Sequence, residues 1–224
     1  MLAMPSRTVA PTPDATGAEL DARGDPLWQP KWDGIRAFAY VGDDTARLVN
    51  RLGVDISDRY PDVIAALAGA YPATESRVFD GELLVFHDGR PESARVHRRD
   101  AQSNTRRIYH LTQSDPATFM AFDLLYADGR DLRHDPLTAR LSLLSKMVDD
   151  GNHLMISPTS DNGSRLWQIV VEQHLEEVVQ PAMCSARAAP VRASIIISGP
   201  ESKIALVALT DSGVNDCADH DYLK

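Results

Sequence analysis

Two cysteines in 224 residues, Cys184 and Cys217, lie far apart with no CxxC pair, so the chain carries neither a disulfide framework nor a structural zinc site of the paired-cysteine kind. No apolar run approaches the roughly 18 residues of a membrane span, and residues 1–13 lack the apolar core of a secretory signal. The expected compartment is therefore the cytoplasm. Neither GxGxxG nor GxxxxGK[ST] occurs, which removes the dinucleotide fingerprint and the P-loop as ways of holding a nucleotide. The seven histidines show no HExxH or other ligand spacing. A net charge of -9 argues against a protein that coats nucleic acid over its whole surface, while leaving room for a local basic groove.

What is present begins at Trp28. Residues 1–24, rich in Pro, Ala, Thr and Asp without a period, read as a leader that is mobile or packs as an extended arm. Then comes Trp28-Gln29-Pro30-Lys31-Trp32-Asp33-Gly34-Ile35-Arg36, a lysine between an aromatic approach and an Asp-Gly turn. The β-rich runs IRAFAYV and ARLVN around Gly42-Asp43-Asp44 predict a hairpin directly after it, which sets Lys31 in a loop or at a strand edge facing a cleft. Ser57 and Pro61 predict a helix start, with Val63, Ile64, Leu67 and Ala68 at helical spacing. The strand RVFDGELLVF carries Asp80 and Glu82 inside apolar sequence, where carboxylates are unfavourable without partners. Five arginines between Arg95 and Arg107 fit either a solvated helix face or a phosphate-contacting patch. TFMAFDLLY predicts another buried strand, residues 136–147 an amphipathic helix, Asp161–Ser164 the cap of a helix over 165–173, and Leu175–Val179 a strand. Helices mixed with hairpins, without strict βαβ alternation, predict an α+β fold with mostly antiparallel sheets flanked by helices around a cleft.

A lysine amine attacks only when neutral, and at pH 7 a lysine of ordinary pKa, about 10.4, is neutral in roughly one molecule in a few thousand. Partial burial and neighbouring cations such as Arg36 or a metal would favour the neutral form. The same residues also suit a structural salt bridge.

Taken together, the motifs resemble those of the ATP-dependent DNA ligases, members of the covalent nucleotidyltransferase superfamily. KWDGIR matches K-x-D-G-x-R through Lys31, Asp33, Gly34 and Arg36. VNRLGVDISDRYP is similar to S-R-N-G-x-D-x-[ST]…Y-P through Arg51, Gly53, Asp55, Tyr60 and Pro61. FDGELLVF supplies the D-G-E strand, and AFDLLY the F-D-x-L-Y strand with Phe122 and Asp123. The resemblance implies a nucleotidyltransferase fold in which Lys31 attacks the ATP α-phosphate, expels pyrophosphate and becomes lysyl-AMP. It further implies that Arg36 and Glu82 hold the ribose hydroxyls, that Phe122 stacks on adenine, and that Arg51 contacts a phosphate. Magnesium would offset phosphate charge with support from Glu176, the glutamate of E-G-[LV]-V-x-K. AMP would then pass to the 5′-phosphate of nicked double-stranded DNA, and the 3′-hydroxyl would displace it.

The later motifs depart from the pattern. LEEVVQP keeps Glu176 but places Glu177 at the glycine and Pro181 at the lysine, and the K-x-K pair of the last motif has no match, Lys203 being the only lysine between Lys146 and Lys224. The expected division is a leader over 1–24, an adenylation domain over 25–181, and a diverged β-rich segment with an acidic tail over 182–224. No complete oligonucleotide-binding barrel is expected, and a separate DNA-clamping or end-binding protein would replace it. Two alternatives stay open: a catalytically impaired remnant that binds nucleotide or DNA, and a relative of RNA ligases or capping enzymes.

Overall fold

Three Asp-containing turns set the sheet. Asp43-Asp44, Asp88-Gly89 and Asp128-Gly129 all have positive φ at both central residues, the conformation of two-residue hairpin turns whose twist matches that of the flanking strands. The computed structural model describes residues 6–9, 27–71, 75–149, 151–172, 175, 178–181, 193–198 and 203–208, with only the backbone for 6–9, 172 and the segments from 178 onward. In chain order the elements are β1 (Ser6–Val9), β2 (Gln29–Pro30), β3 (Ile35–Gly42), β4 (Thr45–Asn50), α1 (Pro61–Ala70), β5 (Arg77–His87) and β6 (Arg90–Pro91). There follow α2 (Ser93–Asp100), α3 (Thr105–Ser114), β7 (Ala117–Ala127), β8 (Arg130–Asp131), α4 (Leu137–Met147), β9 (Leu154–Ile156), α5 (Gly163–Glu172), β10 (Val178–Pro181), β11 (Ala193–Ser198) and β12 (Lys203–Ala208).

A seven-stranded sheet runs β4-β3-β5-β7-β8, with β6 on β5 and β9 on β7. Every pairing in it is antiparallel except β7 with β9. One face carries Ala37, Ala39, Leu83, Val85 and Phe119, which pack on Val63 and Leu67 of α1, Val96 of α2 and Leu144 of α4. The opposite face carries a smaller cluster of Phe38, Tyr40, Val49, Val78 and Tyr126. Alternation along each strand thus sends one set of side chains to the helices and leaves the other face to build a site. A separate sheet of order β1-β10-β2 holds the residues before Lys31, and β11 and β12 form an antiparallel pair. The α+β expectation holds.

The β3–β4 hairpin and the strands β5 and β7 lie where the apolar runs predict them. Gly81 shows why Asp-Gly-Glu interrupts β5 in sequence but not in space. A Cβ there would meet the Phe119 ring at 2.5 Å and the Met120 carbonyl at 2.6 Å, so β5 passes β7 at a distance that only glycine permits. The helix predicted from Ser57 starts later. Ser57 opens a single turn, accepts the Leu48 amide at 3.0 Å and donates to Asp55 at 2.6 Å, while Pro61 begins α1. Of the strand predicted from Leu175, the described part is Val178–Pro181, while the Leu175 amide donates to the Val170 carbonyl of α5 at 2.9 Å.

Candidate active site

Lys31 lies on the four-residue connection between β2 and β3, in the loop position the sequence predicts, and it is exposed where partial burial was expected. Its backbone seat is fixed on both sides. Gln29 and Pro30 pair with Val179 and Val178 of β10, and Trp28 and Ser160 exchange hydrogen bonds of 2.8 and 3.0 Å. The buried Gln29 amide donates to the Phe122 carbonyl at 3.2 Å and to Thr159 Oγ1 at 3.1 Å, and Trp32 Nε1 donates to Ser157 Oγ at 2.9 Å. Trp28 is wholly buried against Leu166 and Val170 of α5.

Just past this loop, the first residues of β3 meet the Asp-Gly-Glu segment of β5. Arg36 stands opposite Glu82 in the register, and its Nε and Nη2 grip Asp80 at 3.0 and 2.7 Å. The same guanidinium lies over the half-buried Phe122 ring, 5.2 Å from its centroid. Nη1 is left outside the Asp80 pair. Burial works against the Arg36 cation, but Asp80 overrides it and holds the guanidinium above its ordinary value. Burial likewise raises the Asp80 carboxyl, against the pull of Arg36. Burial pushes the Glu82 carboxyl up to about 8, opposed by Arg36 and by the Gly34 amide and reinforced by Asp80 and Asp33. Gly34 is required here too, since a Cβ would run into the Leu83 carbonyl oxygen of β5. Behind Asp80, its cross-strand neighbour Asp123 accepts two hydrogen bonds of 2.8 Å from the buried Arg140, so two facing aspartates each have their own arginine.

Arg36, Glu82 and Phe122 are therefore gathered on one cluster, with Asp80 as the member that the sequence flags only as an unfavourably buried carboxylate. Asp33 is exposed on the Lys31 loop. Arg51 is exposed on the turn after β4, next to Asn50, which pairs with Ala37 at the end of the β3–β4 ladder. Glu176 lies outside the described residues. Among the described residues no three histidine, cysteine or carboxylate side chains gather in a metal-binding group.

The arginine-rich stretch does not form one uniform face. It forms two helices, α2 and α3, and Arg99 is fully buried, bound to Asp62, to the Asp115 carbonyl at 2.8 Å and to the Arg59 carbonyl at 3.1 Å. Arg95 and Arg98 pair with Asp115 at 2.5 and 2.8 Å. Arg98, despite its ion pair, is exposed, as are Arg106 and Arg107. No helix among the described residues is long and apolar enough to cross a membrane.

Comparison with known proteins follows this geometry. DNA ligase C1 of Mycolicibacterium smegmatis is 32% identical over 142 residues, covering 60% of this chain and 39% of that protein. A probable DNA ligase of Streptomyces coelicolor is 36% identical over 123 residues, covering 54% of this chain and 23% of the relative. The chain thus spans well under half the length of these relatives. Among solved structures, the ligase domain of M. tuberculosis LigD aligns with TM-score 0.55 at 25% identity, over 70% of this chain and 50% of that one. A mycobacterial DNA ligase D complexed with ATP and MES shares the fold, with TM-score 0.55 at 23% identity, over 70% of this chain and 49% of that one. The description "ATP dependent DNA ligase domain" matches residues 9–181, and the chain belongs to that family.

Proposed function

We propose that this chain is the nucleotide-transferring unit of an ATP-dependent DNA ligase, with Lys31 as the nucleophile. The observation that carries the reading is the cluster of Arg36, Asp80, Glu82 and Phe122 at the head of β3, directly beyond the Lys31 loop. The Lys31 amine lone pair attacks the ATP α-phosphorus, the bond to pyrophosphate breaks, and the nitrogen proton is released as the phosphoramidate forms. Asp80 fixes the Arg36 fork so that Nη1 is presented toward the ribose. Glu82 accepts from the ribose hydroxyls, and Phe122 offers its ring to adenine. Lys31 is exposed, so charges that arrive with the nucleotide would assist its attack: Mg2+, which Glu176 would help to hold, would offset phosphate charge. Arg51 then meets a phosphate of the nicked duplex, which takes AMP on its 5′-phosphate before the 3′-hydroxyl displaces it.

The working unit in this reading is residues 25–181, preceded by the leader at 1–24 and followed by the diverged segment at 182–224, and it acts in the cytoplasm. A separate clamping protein holds the duplex during sealing. The second reading, a nucleotide- or DNA-binding remnant, draws support from Glu177, which adds a negative charge beside a triphosphate site, and from Pro181 in the lysine position. Incubation with α-labelled ATP and Mg2+ separates the two. Label that survives denaturation in the wild type and disappears in Lys31→Ala supports the nucleophile. No adduct in the wild type, or an equal one in Lys31→Ala, favours the remnant.

A further inference from the structure

The Lys31 loop is tied to the strand that carries Phe122. Ser157, the residue after β9, is buried and makes two hydrogen bonds. Its amide donates to the Ala121 carbonyl of β7 at 2.8 Å, and its Oγ accepts from Trp32 Nε1 at 2.9 Å. One residue thus joins the neighbour of Phe122 to the neighbour of Lys31. Two positions before Lys31, Gln29 makes a second tie of the same kind, since its side-chain amide reaches the carbonyl of Phe122 itself. Ser160 holds Trp28 through a pair of backbone bonds. Ser157-Pro158-Thr159-Ser160 therefore runs beside the loop as a rail that is fixed to β7 at one end.

The two tryptophans that flank Lys31 are held in different ways. Trp28 is wholly buried and its Nε1 finds no partner among the described residues, so packing fixes its side chain. Trp32 is half-buried, and its indole N–H, which can only donate, is directed at the buried Ser157 hydroxyl. Apolar contact sets a location, whereas a hydrogen bond also sets a direction. The Lys31 amine is carried on a flexible four-carbon stem, so the direction in which that stem leaves the loop is set by the backbone at residues 31 and 32.

We propose that Ser157 is a positioning residue for nucleotidyl transfer. Through Trp32 it holds the Lys31 backbone at a fixed offset from Phe122, so that the amine meets the α-phosphorus of a nucleotide whose adenine lies on that ring, the N–P bond forming as pyrophosphate leaves. This rests on the ligase reading for the reaction. Ser157 acts through Trp32 alone and leaves Arg36, Glu82 and Phe122 where they are, so its loss bears on the rate of attack and not on nucleotide affinity. Misplacing a reacting group by about 1 Å costs on the order of a hundredfold in rate, and the loss of one tie among several costs less.

The first turnover with α-labelled ATP and Mg2+ is followed over a range of ATP concentrations, well below the melting temperature of every variant, for wild type, Ser157→Ala, Trp32→Phe and the double variant. Trp32→Phe keeps an aromatic ring and removes the N–H. Each single change is expected to slow adduct formation about tenfold while ATP half-saturation stays within about twofold of wild type. The double variant falls no further than the slower single one, because both changes break the same bond. Wild-type rates in either single variant, a rise in half-saturation that accounts for the loss, or losses that multiply in the double variant would each overturn the proposal. If thermal melts show that one single variant does not fold, the other decides. A wild type that forms no adduct overturns the ligase reading together with this one, whereas full-rate adduct formation by Ser157→Ala overturns the role of Ser157 alone.

Discussion

Arg36 and Asp80, 44 residues apart in sequence, meet as a bidentate pair on adjacent antiparallel strands, with the carboxylate buried and the guanidinium reaching out over Phe122. The pair does two things at once. It neutralises a carboxylate inside an apolar strand, and it fixes the orientation of the arginine that faces the proposed ribose site.

Removing one partner should be far worse than removing both. Arg36→Ala strands the Asp80 carboxylate and is expected to lower stability by about 3–5 kcal/mol, whereas the double change Arg36→Met with Asp80→Leu recovers most of that loss. Chemical denaturation of the three proteins measures it. Equal losses in the single and double variants would show that the pair is not the source.

Glu82 should make stability depend on pH in the direction opposite to an ordinary salt-bridged acid. Its carboxyl is raised from 4.5 to about 8, so between those values the folded state keeps a proton that the unfolded state has lost. The unfolded state then binds fewer protons, and stability falls as pH rises through that window and levels off above it. Denaturation midpoints from about pH 5 to about pH 8 should decline in the wild type and flatten in Glu82→Gln. Parallel profiles for the two proteins would contradict this.

Two glycine substitutions should separate crowding from backbone conformation. Gly81→Ala forces a Cβ into the Phe119 ring and the Met120 carbonyl and is expected to cost about 1–3 kcal/mol or more. Gly89→Ala has open space around it and only a positive φ to tolerate, which costs about 1–2 kcal/mol. A crowding origin for the Gly81 effect further predicts partial rescue by Phe119→Leu, and no such rescue at Gly89.

Arg99→Ala should unfold the protein more readily than any change at Arg106 or Arg107. It leaves Asp62 and the Asp115 carbonyl without their partner, a loss of about 3–5 kcal/mol, while the exposed pair should shift stability by no more than about 0.5 kcal/mol. Thermal melts of the three single variants decide this.

The parts of the fold legible in sequence are those fixed by local pattern. IRAFAYV, RVFDGELLVF and TFMAFDLLY are strands because they are apolar and β-rich between Asp-containing turns, and residues 137–147 form a helix because leucines recur on one face. The site was legible as chemistry: Lys31, Arg36, Glu82 and Phe122 could be named from residue type and order. Their arrangement was not. That Asp80 engages Arg36 follows from the β3–β5 register, and that Arg99 is buried follows from Asp62 and Asp115 converging on it, neither of which any local window contains. Arg99 went unread for the same reason, because charge in a sequence reads as surface until a distant partner is known. Lys31 was expected to be partly buried because its chemistry favours desolvation, yet it is exposed on the connection between β2 and β3.

The three-stranded sheet also dictates an order of assembly. Every strand of the large sheet has been made once synthesis reaches Ile156, so Arg36, Glu82 and Phe122 can take their places while the chain is still growing. The strand before Lys31 has to wait, because Gln29 and Pro30 pair with residues 178 and 179, which emerge long afterwards. The base-and-ribose wall is thus completed early, and the nucleophile is seated by one of the last strands to arrive.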